Sequence, residues 1–497
     1  MEVEPPINHN LNMPKYFIKT FGCQMNFSDS ERLASFLEKR KFKPTKEIKQ
    51  ADLVIFNSCG VRKMPEDRAY GQIHNLRKNN PLIKIALTGC ISQRKDIQRV
   101  LGKKVDLFFS IKDIRLLNNF IIENFLGIEN SKLNENCKLK IENSNSTTCD
   151  YLHLSPKYTN KFRAEIPIMT GCNNFCAYCV VPYARGREVS RPASEIIKEI
   201  ECLIKKGYKE IILLGQNVNS YKHLPSPLYS GEMSRTRDRG GKIVTFPELL
   251  KEINNIKGNF WIRFLSSHPK DMSNELIQTV TKLEKVCELV HLPIQSGDDK
   301  VLKNMNRNYT QKHYLNLIKK IKKSFKENKP TKNFAISSDI IVGFPGETKA
   351  QLEKSADVMK KVKYDMVYFG QFSPRPQTVA WKMKDNVSKI EKERREKYLN
   401  EILKKTALAN NKKYLNKTFD VLVDKEDVFK GSDSPLGLSE PKFTYFGKTR
   451  TFKNVMLKSE KENLIGKFVK VKITKVSTWN LEGEIIKKSR KSNDFLD

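Results

Sequence analysis

The chain has 497 residues, of which 39% are hydrophobic and 30% charged; this excludes an intrinsically disordered polymer, and the length predicts about two to four domains. Lys and Arg total 91 against 56 Asp and Glu, a net charge of +35, which attracts polyanions and makes nucleic acid a candidate partner, although Lys, Asn and Ile are also abundant together in chains from AT-rich genomes. No run approaches the ~18–20 apolar residues of a membrane span and Met1 to Tyr16 holds no apolar signal core, so the sequence predicts a cytoplasmic protein with no membrane partner, whose ten cysteines serve metal ligation or catalysis instead of disulfides.

Three N-terminal segments share one plan. Residues 16–23, 52–59 and 83–90 each read as a short buried strand ending in a cysteine, at Cys23, Cys59 and Cys90. Steps of 36 and 31 residues between these cysteines suit one strand–helix–strand unit each. Ser28-Asp29-Ser30 is expected to cap a helix with Leu33, Phe36 and Leu37 on its buried face. The expected result is a small parallel sheet, whose strands all finish at the edge where open α/β sheets place ligands. The three cysteines then converge, provided the strand order does not separate them.

A polar stretch over 128–160 reads as a linker. Beyond it, strand candidates at 165–169, 211–215, 262–265, 289–294, 335–342 and 366–372 alternate with helical runs such as 195–206 and 351–362. Six such units predict a partial or full β/α barrel with its working face at the C-terminal strand ends. Residues 224–242 read as a surface loop. A charged helix is expected over 389–413, then short strands at 418–423, 451–457, 468–476 and 481–486 that predict a small β-barrel.

The sharpest chemical signal is Gly171-Cys172-Asn-Asn-Phe-Cys176-Ala-Tyr-Cys179, directly after a strand. A four-iron cluster normally takes four thiolates. Three close thiolates leave one iron open, the kind of position a catalytic metal site keeps; the amino and carboxylate groups of S-adenosylmethionine can fill it. A zinc site with a distant fourth ligand is the alternative, but the paired Cys-x2-Cys arms common in such sites are not both present. Cys202 and Cys287 fall in helical patterns and read as core; Cys137 and Cys149 lie in the linker.

Cys172 to Cys179, with Val180-Val-Pro-Tyr-Ala-Arg-Gly-Arg-Glu-Val-Ser-Arg-Pro192, resembles the radical-SAM methylthiotransferase family. Phe21-Gly-Cys-Gln-Met-Asn26, Asn57-Ser-Cys59 and Thr88-Gly-Cys90 are similar to its N-terminal domain. Leu214-Gly-Gln-Asn-Val-Asn-Ser-Tyr221, Ser266-Ser-His-Pro269, His291-Leu-Pro-Ile-Gln-Ser-Gly297 and Ser337-Ser-Asp-Ile-Ile-Val-Gly-Phe-Pro-Gly-Glu347 extend the match, and the last barrel, with Phe446-Gly-Lys-Thr449, resembles the RNA-binding TRAM domain. The resemblance implies an α/β chain with an N-terminal parallel α/β domain (14–127), a linker (128–160), a radical-SAM β/α-barrel core (161–400) and a TRAM β-barrel (414–487). It implies two [4Fe–4S] clusters, one on Cys172, Cys176 and Cys179 that exchanges with S-adenosylmethionine and an auxiliary one on Cys23, Cys59 and Cys90. No catalytic residue is assigned beyond these ligands.

The motifs look most like the branch that converts N6-isopentenyladenosine beside the tRNA anticodon to its 2-methylthio derivative. In that family one S-adenosylmethionine methylates sulfur held at the auxiliary cluster, and a second yields the radical that takes the hydrogen from carbon 2 of the adenine. Methylthiolation of threonylcarbamoyladenosine or of a ribosomal-protein aspartate are the alternatives within the family. A non-catalytic iron–sulfur or zinc protein that binds RNA is the alternative from another class. Expected partners are tRNA and an electron donor such as flavodoxin or ferredoxin, with a monomer as the working form.

Weaker candidates lie at the same barrel face. Gln216, Asn217 and Asn219 could contact cofactor or base, or cap the next helix; Gly343 and Glu347 could line the cofactor site or form a plain βα turn. His268 reads as an ordinary loop histidine or a ligand contact. Lys442, Lys448, Arg450, Lys453 and Lys458, among Phe443, Tyr445, Phe446 and Phe452, suit a folded RNA, though half such aromatics should fill the barrel. Two departures stand out: Gln377 and Val379 replace the Gly and Pro usual in the family, and the 224–242 loop is long.

Overall fold

The computed structural model describes residues 13–61, 63–126, 151–223, 243–427, 443–460 and 462–486. Most of the expected linker, the 224–242 loop, Cys137, Cys149 and Lys442 lie outside the described residues. Among those described, no helix is long and apolar enough to cross a membrane. By contacts the chain divides into two units: Met1–Thr159 with Thr170–Val189 and Arg375–Trp381, and Asn160–Met169 with Ser190–Pro374 and Lys382–Asp497.

The first unit is built on a five-stranded sheet of β1 (Lys15–Phe21), β2 (Lys43–Pro44), β3 (Leu53–Ser58), β4 (Lys84–Gly89) and β5 (Leu107–Phe108), ordered β2-β1-β3-β4-β5. Every pairing is parallel, as the all-buried run of β3 requires of a strand covered on both faces. Leu33, Phe36, Leu37, Leu53 and Ile55 pack one face, and Val54, Phe56, Ile85 and Leu87 the other. Helix α1 runs over Gln24–Glu38 with Cys23 at its N-cap. Ser28, Asp29 and Ser30 therefore lie inside the helix, not at its start: Gln-Met-Asn carries no break, and the positive φ of Gly22 (+149°) already turns the chain.

The second unit holds six parallel strands: β6 (Arg163–Pro167), β7 (Glu210–Leu214), β8 (Trp261–Phe264), β9 (Leu289–His291), β10 (Ala335–Val342) and β11 (Met366–Gln371). They form two three-stranded sheets, β8-β7-β6 and β9-β10-β11, joined where Ile262 bridges to Val286. Helices intervene, among them Ala193–Lys205 and Lys349–Val362, in the β/α-barrel pattern. Cys287 is core, but Cys202 is exposed. The helix buries Ala193, Ile196, Ile200 and Leu203, and Cys202 falls off that stripe.

After the helix Lys389–Asn411 comes a closed barrel of β12 (Thr418–Asp427), β13 (Phe443–Thr449), β14 (Asn454–Ser459), β15 (Phe468–Val476) and β16 (Asn480–Ile485). β13 has no counterpart among the four strands expected from sequence. Its Tyr445 is fully buried beside Val421, Val455 and Ile473.

Candidate functional site

The strand order keeps the N-terminal cysteines together. β1, β3 and β4 are neighbours, and Phe21, Ser58 and Gly89 lie in one register at their C-terminal ends. The Cys59 N–H donates to Phe21 O at 2.8 Å, and the Cys90 N–H to Ser58 O at 2.9 Å. Gly22 allows this approach: a Cβ there would lie 2.7 Å from Cys59 Cβ. Behind the thiols, Asn26 Nδ2 donates to Asn57 Oδ1 (2.8 Å), while Asn57 Nδ2 donates to Asn26 O (2.8 Å) and Ser30 Oγ (3.0 Å). This buried amide lock fixes α1 to the end of β3.

Cys23 and Cys59 share a thiol hydrogen bond, which holds Cys23 down to about 6 against the opposing effect of burial, with help from the Arg185 charge. The same shared proton, then burial, pushes Cys59 up. Among the described residues, no three His, Cys, Asp or Glu side chains are grouped to hold a single metal ion.

The second trio belongs to the same unit. Gly171 (φ +80°) starts its loop, where a Cβ would stand 2.0 Å from Arg187 O. The Cys172 N–H donates to Gly186 O at 3.2 Å and the Cys179 N–H to Cys176 O at 2.9 Å. Burial raises Cys172, and burial followed by the Cys176 charge raises Cys179 to about 12, with a contribution from Cys90. Cys90 thus stands within electrostatic reach of the second trio. Arg185, six residues past Cys179, is buried against Asp29 at 2.6 Å.

Charge in this unit is unbalanced. Arg32, Arg94, Arg185 and Arg375 are buried, whereas Asp29 and Glu66 are the buried carboxylates among its described residues. Buried charges are normally matched: Arg185 has Asp29, Arg94 has Glu66 and the partly exposed Asp96, and Arg375 shares Glu66 at 3.4 Å, so an anionic group beside these guanidiniums is favoured. A thiolate-bound iron–sulfur cluster is anionic, and thiolates are its usual ligands; the donor set and the buried cations both fit.

In the second unit, the residues after β7 and β8 carry buried polar atoms with no partner among the described residues: Gln216 Oε1, Asn217 Oδ1, Asn219 Oδ1, Ser267 Oγ and His268 Nε2. Their other ends are fixed. Asn217 Nδ2 donates to Asp271 (2.7 Å), Asn219 Nδ2 to His268 O (3.4 Å), and His268 Nδ1 accepts from the Lys270 N–H (3.1 Å). Burial, then Arg307 and Lys270, depresses His268 to about 2, so its imidazole is neutral. Unfilled polar atoms at the C-terminal strand ends suit a polar ligand such as S-adenosylmethionine. Ser267 was not singled out from sequence, since a lone Ser carries no signal.

Gly343 and Glu347 are engaged with each other: the Gly343 N–H donates to Glu347 Oε2 (2.8 Å), which also accepts from Arg395 (3.0 Å). Glu347 is held in the turn by these bonds. The barrel's basic residues divide. Arg450 and Lys453 pair with Glu288 and Asp365 of the β/α domain at 2.7 and 2.8 Å, which corrects their expected role on RNA. Lys458 is exposed. So are Lys470 and Lys472 of β15, opposite the inward Val471 and Ile473, a pair missed in sequence although alternation of Lys with Val and Ile signals an outward basic row.

The chain matches the radical SAM superfamily over residues 166–359, uncharacterized protein family UPF0004 over 15–110 and the TRAM domain over 412–486. It is 40% identical to a tRNA-2-methylthio-N(6)-dimethylallyladenosine synthase of Clostridium botulinum (strain Langeland), covering 95% of this chain and 97% of that one. It is 39% identical to the protein of the same name from Finegoldia magna, covering 97% and 96%. A solved structure similar to it is the radical S-adenosylmethionine methyltransferase TsrM from Kitasatospora setae, at 12% identity and TM-score 0.49 over 86% of this chain and 80% of that one.

Proposed function

This chain belongs to the family of tRNA-2-methylthio-N(6)-dimethylallyladenosine synthases, and from that premise we propose that its six motif cysteines hold two iron–sulfur clusters serving one tRNA adenosine. It is a radical SAM methylthiotransferase acting on N6-isopentenyladenosine in tRNA. Membership of the radical SAM superfamily brings a [4Fe–4S] cluster and S-adenosylmethionine, which when bound supply a carbon radical able to take the hydrogen from carbon 2 of the adenine.

Cys172, Cys176 and Cys179 are the ligands we assign to that cluster, and Cys23, Cys59 and Cys90 those of a second one carrying the sulfur. The observation that carries the second assignment is the common register of β1, β3 and β4, which brings three cysteines to one sheet edge. The buried guanidiniums of Arg185 and Arg375 in the same unit support it.

The chain's own groups then have defined tasks. Arg185 stabilises thiolate at Cys23. The Asn26–Asn57 lock fixes the sheet edge. Neutral His268, with Asn217 and Asn219, offers hydrogen-bonding atoms to the polar parts of S-adenosylmethionine without adding charge. Lys458, Lys470 and Lys472 meet tRNA phosphates.

The test is anaerobic cluster reconstitution, then reductant, S-adenosylmethionine and tRNA bearing N6-isopentenyladenosine, with mass analysis of the digested nucleosides. A methylthio-shifted isopentenyladenosine is the expected product. Deoxyadenosine without it would redirect the substrate to threonylcarbamoyladenosine or a protein.

A further inference from the structure

The segment that departs from its family at Gln377 and Val379 has a definite place in the first unit. Residues Arg375–Trp381 are grouped with both cysteine trios. At one end the Ala380 N–H donates to Ala177 O at 2.7 Å, inside the Cys176–Cys179 turn. At the other, Arg375 is buried and reaches Glu66, three residues into the helix Lys63–Asn79 that follows Cys59. Thr378 ties the segment internally, its Oγ1 donating to Arg375 O at 2.7 Å. The segment is a strap between the two sets of thiols.

Arg375 is more than the partner of Glu66. That carboxylate already takes Arg94 Nη1 at 2.8 Å, and Arg375 Nη1 stands further off, at 3.4 Å. Arg375 Nε is buried with no partner among the described residues. Ser58 Oγ donates to Pro65 O at 3.3 Å, which holds the start of the helix Lys63–Asn79, with Glu66 and the guanidinium on it, against the end of β3 beside Cys59, where the two charges interact. A buried cation held only by a shared carboxylate at 3.4 Å also acts on the next anion within reach.

We propose that Arg375 is a positioning residue of the Cys23/Cys59/Cys90 site: the strap holds its guanidinium beside Cys59, where its charge raises the reduction potential of the cluster. The inference rests on the second-cluster assignment above. Reduction adds an electron to an already anionic group, so a fixed buried cation favours the reduced form, and its loss disfavours it.

The experiment uses the full chain with Cys172, Cys176 and Cys179 changed to Ala, so that iron reports on the N-terminal site alone. Iron content and the midpoint potential, from a dithionite titration followed by electron paramagnetic resonance, are measured for this parent and for its Arg375→Gln and Arg375→Lys forms. Expected is a more negative midpoint in Arg375→Gln and a value near the parent's in Arg375→Lys. Loss of iron in Arg375→Gln alone, restored by Lys, also supports the role of charge. An unchanged midpoint in Arg375→Gln overturns the proposal, as does equal loss of iron in both variants with native circular dichroism. A parent that binds no iron sinks the second-cluster assignment itself, and this proposal with it.

Discussion

Arg450 closes a two-toothed ion pair on Glu288, Nε to Oε2 at 2.7 Å and Nη2 to Oε1 at 3.0 Å, fastening the C-terminal barrel to the β/α domain. Lys329 donates to the same carboxylate at 3.0 Å, and Arg263 reaches across to Thr449 O and Arg450 O. Glu288 is almost wholly buried, so removing Arg450 leaves Lys329 as its closest remaining partner. Arg450→Ala should cost about 1.5–3 kcal/mol, read as a lower urea midpoint and earlier proteolytic release of the barrel. Lys458→Ala, at an exposed site, should leave both unchanged.

Acid should loosen the same region. Burial pushes Glu288 and Glu210 up, but hydrogen bonds and charge from Arg450 and Lys329 on the one, and from Arg263 and Arg163 on the other, leave both below the usual 4.5. A carboxylate depressed in the folded state stabilises it above the unfolded pKa, and that contribution is lost as pH falls through the folded one. Urea midpoints should therefore decline below about pH 4.5. In Glu288→Gln the starting stability should be lower and the decline shallower.

The two cysteine trios should separate in assay. Cys176→Ala should abolish deoxyadenosine formation from S-adenosylmethionine. Cys59→Ala should retain a measurable rate of it but yield no methylthio nucleoside. Normal tRNA product from Cys59→Ala would remove the N-terminal site from the reaction.

Gln377 sits at φ +73°, a left-handed conformation that costs a side-chain-bearing residue about 1–2 kcal/mol. The left-handed backbone at Gln377 is thus a strain within the strap. Gln377→Gly should stabilise the chain by about 1 kcal/mol, measurable as a raised urea midpoint. No gain, or a loss, would show that the Gln side chain makes up for its backbone.

Charge reversal at Lys470 and Lys472 should weaken tRNA binding and flatten its salt dependence. Each phosphate contact removed takes roughly 0.7–0.9 from the slope of log K against log salt. An unchanged slope would move the RNA contact off β15.

The sheet, the six barrel strands and the long helix were legible because each leaves a local pattern: an apolar run for β3 and β7, a 3.6-residue stripe for Ala193–Lys205. The convergence of Cys23, Cys59 and Cys90 followed from parallel strands, but strand adjacency came only with the register. β13 was hidden because its Phe, Thr, Tyr and Lys read as a contact surface before they read as a strand. The roles of Arg450 and Lys453 were invisible for a simpler reason: their acids, Glu288 and Asp365, lie 162 and 88 residues earlier in the chain, and no local pattern links such partners. The sequence left His268 open between a loop histidine and a ligand contact, and its burial against the Tyr309 ring, which comes from a later segment, has no local signal.

The first unit is discontinuous, taking Thr170–Val189 and Arg375–Trp381 from far along the chain, and this sets a clock on its assembly. When Thr159 leaves the ribosome, the sheet can form, but the strap is still 216 residues from the start of its synthesis. At about 5–20 residues per second that interval is roughly 10–40 seconds. For that time three thiols stand at the edge of a nascent sheet without Arg375 in place. Iron loaded then would enter a half-built site, so faithful maturation favours delivery after translation has passed Trp381.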